Sequence, residues 1–468
     1  MKNESPESPS ISLFLAFLPL IVMAALVGVL NLWMGIDLKF VLVLSSIVAG
    51  IVAVTTGTSL KTLLDDFAEN VKKAFPAILI LIAIGGIVGS WMYSGTVPYL
   101  IYCGLQFIHP NFVLVSAFVV TAIVSTFTGT SWGSAATAGV AFMGIGFSFD
   151  LPLEMVAGAV ISGAVLGDKV SPVSDTTNIC AMASEVTVYE HIRGMLPNVL
   201  LSGLFAIIGF TILGSFLDPN QGQNSEVPKL LNQLDSIYQF NLSMLIPPAI
   251  VFIGGYKGYQ PVVIMIASSL AAIAIGMLSN DFSLAQGSQS MISGFSTSMI
   301  PGDPQLSETL HVLLNRGGFD GMMTGAVLYC ILAIAFGSFL ESSGALSRIM
   351  NALLGGVRSK FGLISTAFSS GAILNGVSGN AMFSILTIGQ LFRPSFRDRK
   401  IPLTVLSRSM ENSMTLLESL LPWHVTAIYM SATLGVATLS YAPFALFNIL
   451  GIFLFFVLFG RDLRKKKY

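Results

Sequence analysis

Asp168, Lys169 and Asp175 arrive together in Gly-Asp-Lys-Val-Ser-Pro-Val-Ser-Asp-Thr-Thr-Asn, residues 167–178, at the end of a long, nearly uncharged apolar tract. The same twelve residues supply four hydroxyls (Ser171, Ser174, Thr176, Thr177) and the amide of Asn178. Ionisable groups at membrane depth are expensive and are found mostly at ion pathways, proton relays and substrate sites. Pro172, with Gly167 before it, interrupts a helix and frees backbone carbonyls beside the carboxylates. Carboxylate oxygens, hydroxyls and bare carbonyls are what a hard cation accepts in place of its water shell. The stretch therefore reads as an ion-binding site, with Asp168 and Asp175 as the cation-binding carboxylates and Ser171, Thr176 and Asn178 as neutral ligands. Lys169 has two readings: a partner of Asp168 or Asp175 that fixes the broken helix, or a second titrating group that couples charge to transport.

A second polar stretch, Arg408 to Thr415, offers Glu411 and Asn412, with Arg408 one helical turn from Glu411 and placed to neutralise it. Glu411 and Glu418 are seven residues apart, as Asp168 and Asp175 are. Two small-residue breaks between apolar arms complete the set. Thr128 to Ser134 contributes Thr130 and Ser131, and Asn375 to Asn380 contributes Asn375, Ser378 and Asn380. Arms that dip into the bilayer without crossing would make these breaks the tips of re-entrant hairpins, presenting helix ends and amides at mid-depth. His191, beside Glu190 and Arg193, reads as a surface residue, and His424, after Pro422-Trp423, as a hydrogen-bonded structural one.

The elements that must hold these groups follow from composition. Of 468 residues 54% are hydrophobic and 10% charged, against about 25% charged in soluble domains. Mean hydropathy is +0.80. This is an all-α polytopic membrane protein; a membrane barrel would show short alternating segments instead. A net charge of -1 argues against a nucleic-acid partner. Cys103, Cys180 and Cys330 are scattered and carry neither metal-ligand nor disulfide spacing. No nucleophile–base constellation and no phosphate-binding loop appears, so neither an enzyme nor a nucleotide-driven pump is expected, and no cofactor.

Apolar runs at 135–149, 152–166 and 381–392 are shorter than the roughly 20 residues a spanning helix needs. Gly89 to Gly95 resembles Gly337 to Gly344, and the hairpin breaks and carboxylate pairs follow in the same order. Two inverted repeats with re-entrant hairpins and interrupted helices account for both facts. The expected organisation is N-terminal spans and a cytoplasmic loop (1–74), a first transport repeat (75–217), a solvent linker (218–241), connecting spans (242–321), a second repeat (322–460) and a basic tail (461–468). Residues 280–308 suit either an aqueous loop or an irregular segment near a surface. The lysines of 61–73 and the RDLRKKKY tail put both termini on the cytoplasmic side of the cell membrane.

These residues together resemble the NhaC family of sodium/proton antiporters. The matching pieces are Gly129-Thr130-Ser131-Trp132-Gly133, Gly139 to Gly146, Gly167 to Asn178 with His191-Ile192-Arg193, Leu406 to Asn412, and Leu421-Pro422-Trp423. The resemblance spans roughly residues 75 to 440 and implies the ion-transporter superfamily and its inverted repeats. It implies exchange of cytoplasmic sodium for external protons across the cell membrane, with sodium, protons and lipid as partners; a homodimer is a separate expectation. Two departures fall in the candidate site. The family's Glu-Asp pair is here Glu411-Asn412, and its Thr-Ser-Pro-like run is replaced by Leu417-Glu418-Ser419. Related members exchange organic acids, so the alternative is a sodium-coupled exchanger of the malate/lactate type.

Overall fold

In the computed structural model, the described residues are 11–217, 226–301, 306–355, 357 and 359–464. The first ten residues, the start of the linker (with Pro219, Gly222 and Asn224), Asp303 and Pro304, and the last four residues of the basic tail lie outside them. Among the described residues the regular structure is entirely helical. Seven helices among the described residues are long and apolar enough to cross a membrane, or up to nine if each of two bent pairs is one span. The protein is a multi-pass membrane protein.

The chain opens with α1 (Leu13–Leu26), α2 (Leu38–Thr55) and the 35-residue α3 (Leu60–Ser94). A left-handed Gly95 (φ 81°) ends α3 and starts α4 (Thr96–Phe107). Next come α5 (Val113–Thr128), then α6 (Ser131–Ser134) running through a π turn into α7 (Val140–Ser148), then α8 (Leu153–Val170), α9 (Asp175–Ala183) and α10 (Val188–Ser215). A connecting region holds α11 (Glu226–Ile237), α12 (Ile246–Tyr256), α13 (Pro261–Ser279), α14 (Leu284–Ile292) and α15 (Glu308–Leu314). The order of the first half then recurs. A long element, α16 (Phe319–Met322) leading through a π turn into α17 (Leu328–Ser342), gives way to the short α18 (Ala345–Gly355). The hairpin α19 (Lys360–Ser378) and α20 (Ala381–Asp398) follows, then α21 (Leu403–Met414), α22 (Val425–Leu434), α23 (Thr438–Tyr441) and α24 (Leu446–Arg464).

Both breaks seen in the sequence as hairpin tips are tight reversals built the same way. Gly129 (φ 67°) and Gly379 (φ 62°) end their helices in the left-handed region that glycine enters without penalty. The next residue, Thr130 or Asn380, caps the returning helix by accepting from the amide of Gly133 or Phe383. In each half the outgoing arm packs on the first segment of the interrupted helix. Ser125 donates to the Ala164 carbonyl (2.6 Å) and Thr121 to that of Val160 (3.2 Å). A Cβ on Gly163 or Gly167 would stand 2.1 and 2.3 Å from the carbonyls of Phe118 and Ala122, and one on Gly371 would stand 2.4 Å from the Ser413 hydroxyl. Small residues let these backbones approach, which is how helices associate where lipid offers no hydrophobic drive.

Two stretches depart from the sequence reading. The later part of 218–241 is not a solvent loop. Leu230, Leu234 and Ile237 are buried along one face of α11, and Tyr238 donates to the Met92 carbonyl (2.9 Å), so the segment docks beside the first half. Within 280–308, α14 lies against α3, where a Cβ on Gly89 would meet the Ser290 carbonyl at 1.9 Å. Apolar spacing at three and four residues, hidden among polar neighbours, explains the docking of α11. The small buried Gly287 and Ser290 let α14 approach α3.

Candidate functional site

The two interrupted helices are the scaffold. The first stops at Val170, passes through a turn over 171–174 and restarts at Asp175. Asn178 holds the broken backbone, donating to the carbonyls of Pro172 (2.9 Å) and Ser174 (2.7 Å), while Thr177 donates to that of Asp168 (3.3 Å). The second helix stops at Met414 and passes through turns until His424 caps α22. Each hairpin tip rests on the break of its own half. Gly129 is so close to Val173 that a Cβ would stand 2.6 Å from its side chain. Asn375 donates to the Met414 carbonyl (3.3 Å), its amide oxygen meets the His424 ring (3.2 Å), and Trp423 donates to the Gly376 carbonyl (2.7 Å).

Lys169 joins the halves. Its ammonium lies 3.8 Å from Glu411 Oε1, with both side chains no more than 1% exposed. It also donates to the Glu411 carbonyl (3.1 Å) and to the Thr415 hydroxyl. Lys169 thus takes its partner from the opposite half and not from Asp168 or Asp175, because α8 ends facing the end of α21. The carboxylate of Glu411 receives this lysine, with Thr176 at 3.5 Å and the Cys180 thiol also against it. Its second oxygen, Oε2, is buried and has no hydrogen-bond partner among the described residues. Arg408, expected to neutralise Glu411, instead holds its guanidinium 6.0 Å from the Phe455 ring centroid.

Asp168 is half-buried at the first break, faced by Ser174 and by the hydroxyl and amide of Ser131 from the hairpin tip. Glu411 is within its electrostatic reach. Asp168, Ser131, Lys169, Thr176 and Glu411 are therefore brought together. Asp175 is not among them: it is exposed at the first position of α9, where a carboxylate favours the helix N-terminus. The other expected ligands are close by but otherwise engaged. Thr130 and Asn380 are helix caps, Ser378 bonds Ser384 (3.0 Å), Asn178 braces the break, and Asn412 accepts from Asn198 (3.2 Å). Ser171 is buried, and its hydroxyl has no partner among the described residues. Among the described residues no three His, Cys, Asp or Glu side chains converge as for a resident metal.

Three groups named in the sequence take places that the sequence did not assign them. Glu418 is buried inside the second break with the Thr426 hydroxyl against it; its seven-residue spacing from Glu411 was the available signal. Thr415 completes the Lys169 seat. His191 is a correction: it is fully buried, with Nδ1 hydrogen-bonded to Ser407, because α10 packs its first turns onto α21.

A sequence model of the Na+/H+ antiporter family matches residues 3–178 and 163–461. The chain belongs to this family. An uncharacterised Na+/H+ antiporter of Haemophilus influenzae is 40% identical, with 95% of each chain covered. The malate-2H+/Na+-lactate antiporter of Bacillus subtilis is 33% identical over 94% of this chain and 93% of its own. The Na+/H+ antiporter NhaC of the same bacterium is 30% identical over 87% and 88%. The resemblance seen in the motifs is thus a relationship along nearly the whole chain, and the family is one of transporters.

Proposed function

We propose that this antiporter exchanges cytoplasmic sodium for external protons across the cell membrane, at a seat made by Asp168, Ser131 and Ser174 beside the Lys169–Glu411 pair. One observation carries the reading: the buried cluster where the two interrupted helices meet has more carboxylates than cations. Such a cluster attracts a cation and repels an organic anion. Sodium needs the ionised carboxylate and a proton neutralises it, so the two cations compete for one group. If only the occupied site changes sides, exchange follows without a cofactor or covalent chemistry. Lys169 cancels the Glu411 charge while leaving Asp168 to the transported ion.

The shared element order supports two inverted repeats, whose rocking about the common site would open it to each side in turn. In this reading both termini are cytoplasmic, as the lysines of 61–73 and the basic tail suggest. A second reading, a sodium-coupled exchanger of organic acids, is favoured by the Bacillus relative named for malate and lactate.

Everted vesicles carrying the protein separate the two. Sodium alone should collapse an imposed proton gradient, and malate or lactate should add nothing. A response that requires an organic acid, or tight sodium-independent binding of malate, would replace the first reading by the second.

A further inference from the structure

Glu418 is 6% exposed and sits in the break between α21 and α22. The Thr426 hydroxyl of α22 faces it; Asp168 and Lys169 on α8 and Glu411 on α21 are within electrostatic reach. Lys169 is already committed to Glu411 and Thr415. Among the described residues no ion pair includes Glu418. Nor is the segment loose. Tyr441 donates to the Ser419 carbonyl (2.6 Å), and Asn448 bonds the Leu416 carbonyl and the Ser419 hydroxyl (both 2.9 Å).

Three carboxylates therefore share one ammonium, leaving an excess of two negative charges when all are ionised. A single sodium at Asp168 cancels one of them. A net charge carried through a low-dielectric interior is strongly disfavoured, so the crossing needs a second cation.

We propose that Glu418 is a second cation-exchanging carboxylate, so that each crossing carries two monovalent cations. This rests on sodium/proton exchange at the Asp168 seat. In the proton-loaded form Asp168 and Glu418 each hold a proton. When sodium fills the site the O–H bond of Glu418 breaks, its proton leaves to the water on the open side, and sodium takes over the charge. Two positive charges enter and two leave; nothing is oxidised or reduced.

Calorimetry of purified protein titrated with sodium chloride, in two buffers of different ionisation enthalpy at one pH, counts the protons released. Linkage predicts about two per protein molecule for the wild type and about one for Glu418→Gln, which should still bind sodium. Equal release from both proteins would overturn the proposal. So would a folded Glu418→Gln that no longer binds sodium, since Glu418 would then be the primary ligand. Wild-type protein that binds sodium without releasing any proton would instead sink the exchange reading beneath it. If Glu418→Gln does not fold, Thr426→Val removes the hydroxyl facing the carboxyl and should shift the pH at which the second proton leaves while sparing the first. An unchanged profile in that variant would equally overturn the proposal.

Discussion

Replacing Lys169 by methionine isolates the contact that joins the two halves. The substitution keeps the length of the side chain and removes the ammonium from Glu411 Oε1 (3.8 Å), from the Glu411 carbonyl and from Thr415. Glu411 is fully buried and its other oxygen already lacks a partner, so an ionised carboxylate would be left without compensation. Breaking one side of such a pair costs about 3–5 kcal/mol. The double variant Lys169→Met/Glu411→Gln removes both charges and should recover about 2 kcal/mol or more, the coupling expected of directly interacting groups. Unfolding in mixed micelles by graded sodium dodecyl sulfate, followed by tryptophan fluorescence at several pH values, reads these free energies. A single variant as stable as the wild type, or a double variant no better than the single, would refute the ion pair as the bridge.

The remaining predictions concern the seat and its tips. Asp168→Asn should abolish sodium-dependent proton movement in everted vesicles, whereas Asp175→Asn should transport normally and lose only about 0.3–1 kcal/mol of helix-terminus stabilisation; equal loss of transport in both would return Asp175 to the seat. Gly379→Ala should cost about 1–2 kcal/mol from its left-handed backbone alone, and Gly129→Ala more, since its Cβ would also stand 2.6 Å from Val173. Melting temperatures that reverse this order would contradict the tip packing. A cysteine at Ser131 should be labelled by small aqueous thiol reagents and protected by sodium. One at the exposed Asp175 should react whether sodium is present or not.

Much of the site was legible before any coordinates, because the signals are local. Gly129-Thr130 and Gly379-Asn380 each place a left-handed helix end beside a capping side chain, so two reversals can be read from two dipeptides. Pro172 after Gly167 marks the first break, and the small residues of α5, α8 and α19 mark faces where backbones meet. Charged residues among apolar runs mark the candidate functional stretches, since burial of such groups is costly.

Pairing was a different matter. The sequence offered Arg408 as the partner of Glu411 and Asp168 or Asp175 as partners of Lys169, all within one stretch of chain. The ion pair that forms spans 242 positions, from Lys169 to Glu411, because it depends on where the end of α8 stops against the end of α21. Helix packing likewise turned His191 inward, left Asp175 outside and enclosed Glu418. Residue types and their intervals along a helix determine which groups can bind a cation and where the backbone opens. Which carboxylate keeps the lysine and which is left for the ion is set by distances of a few ångströms between segments remote in sequence. Coulomb interactions at that range in a low-dielectric interior exceed anything the local pattern encodes.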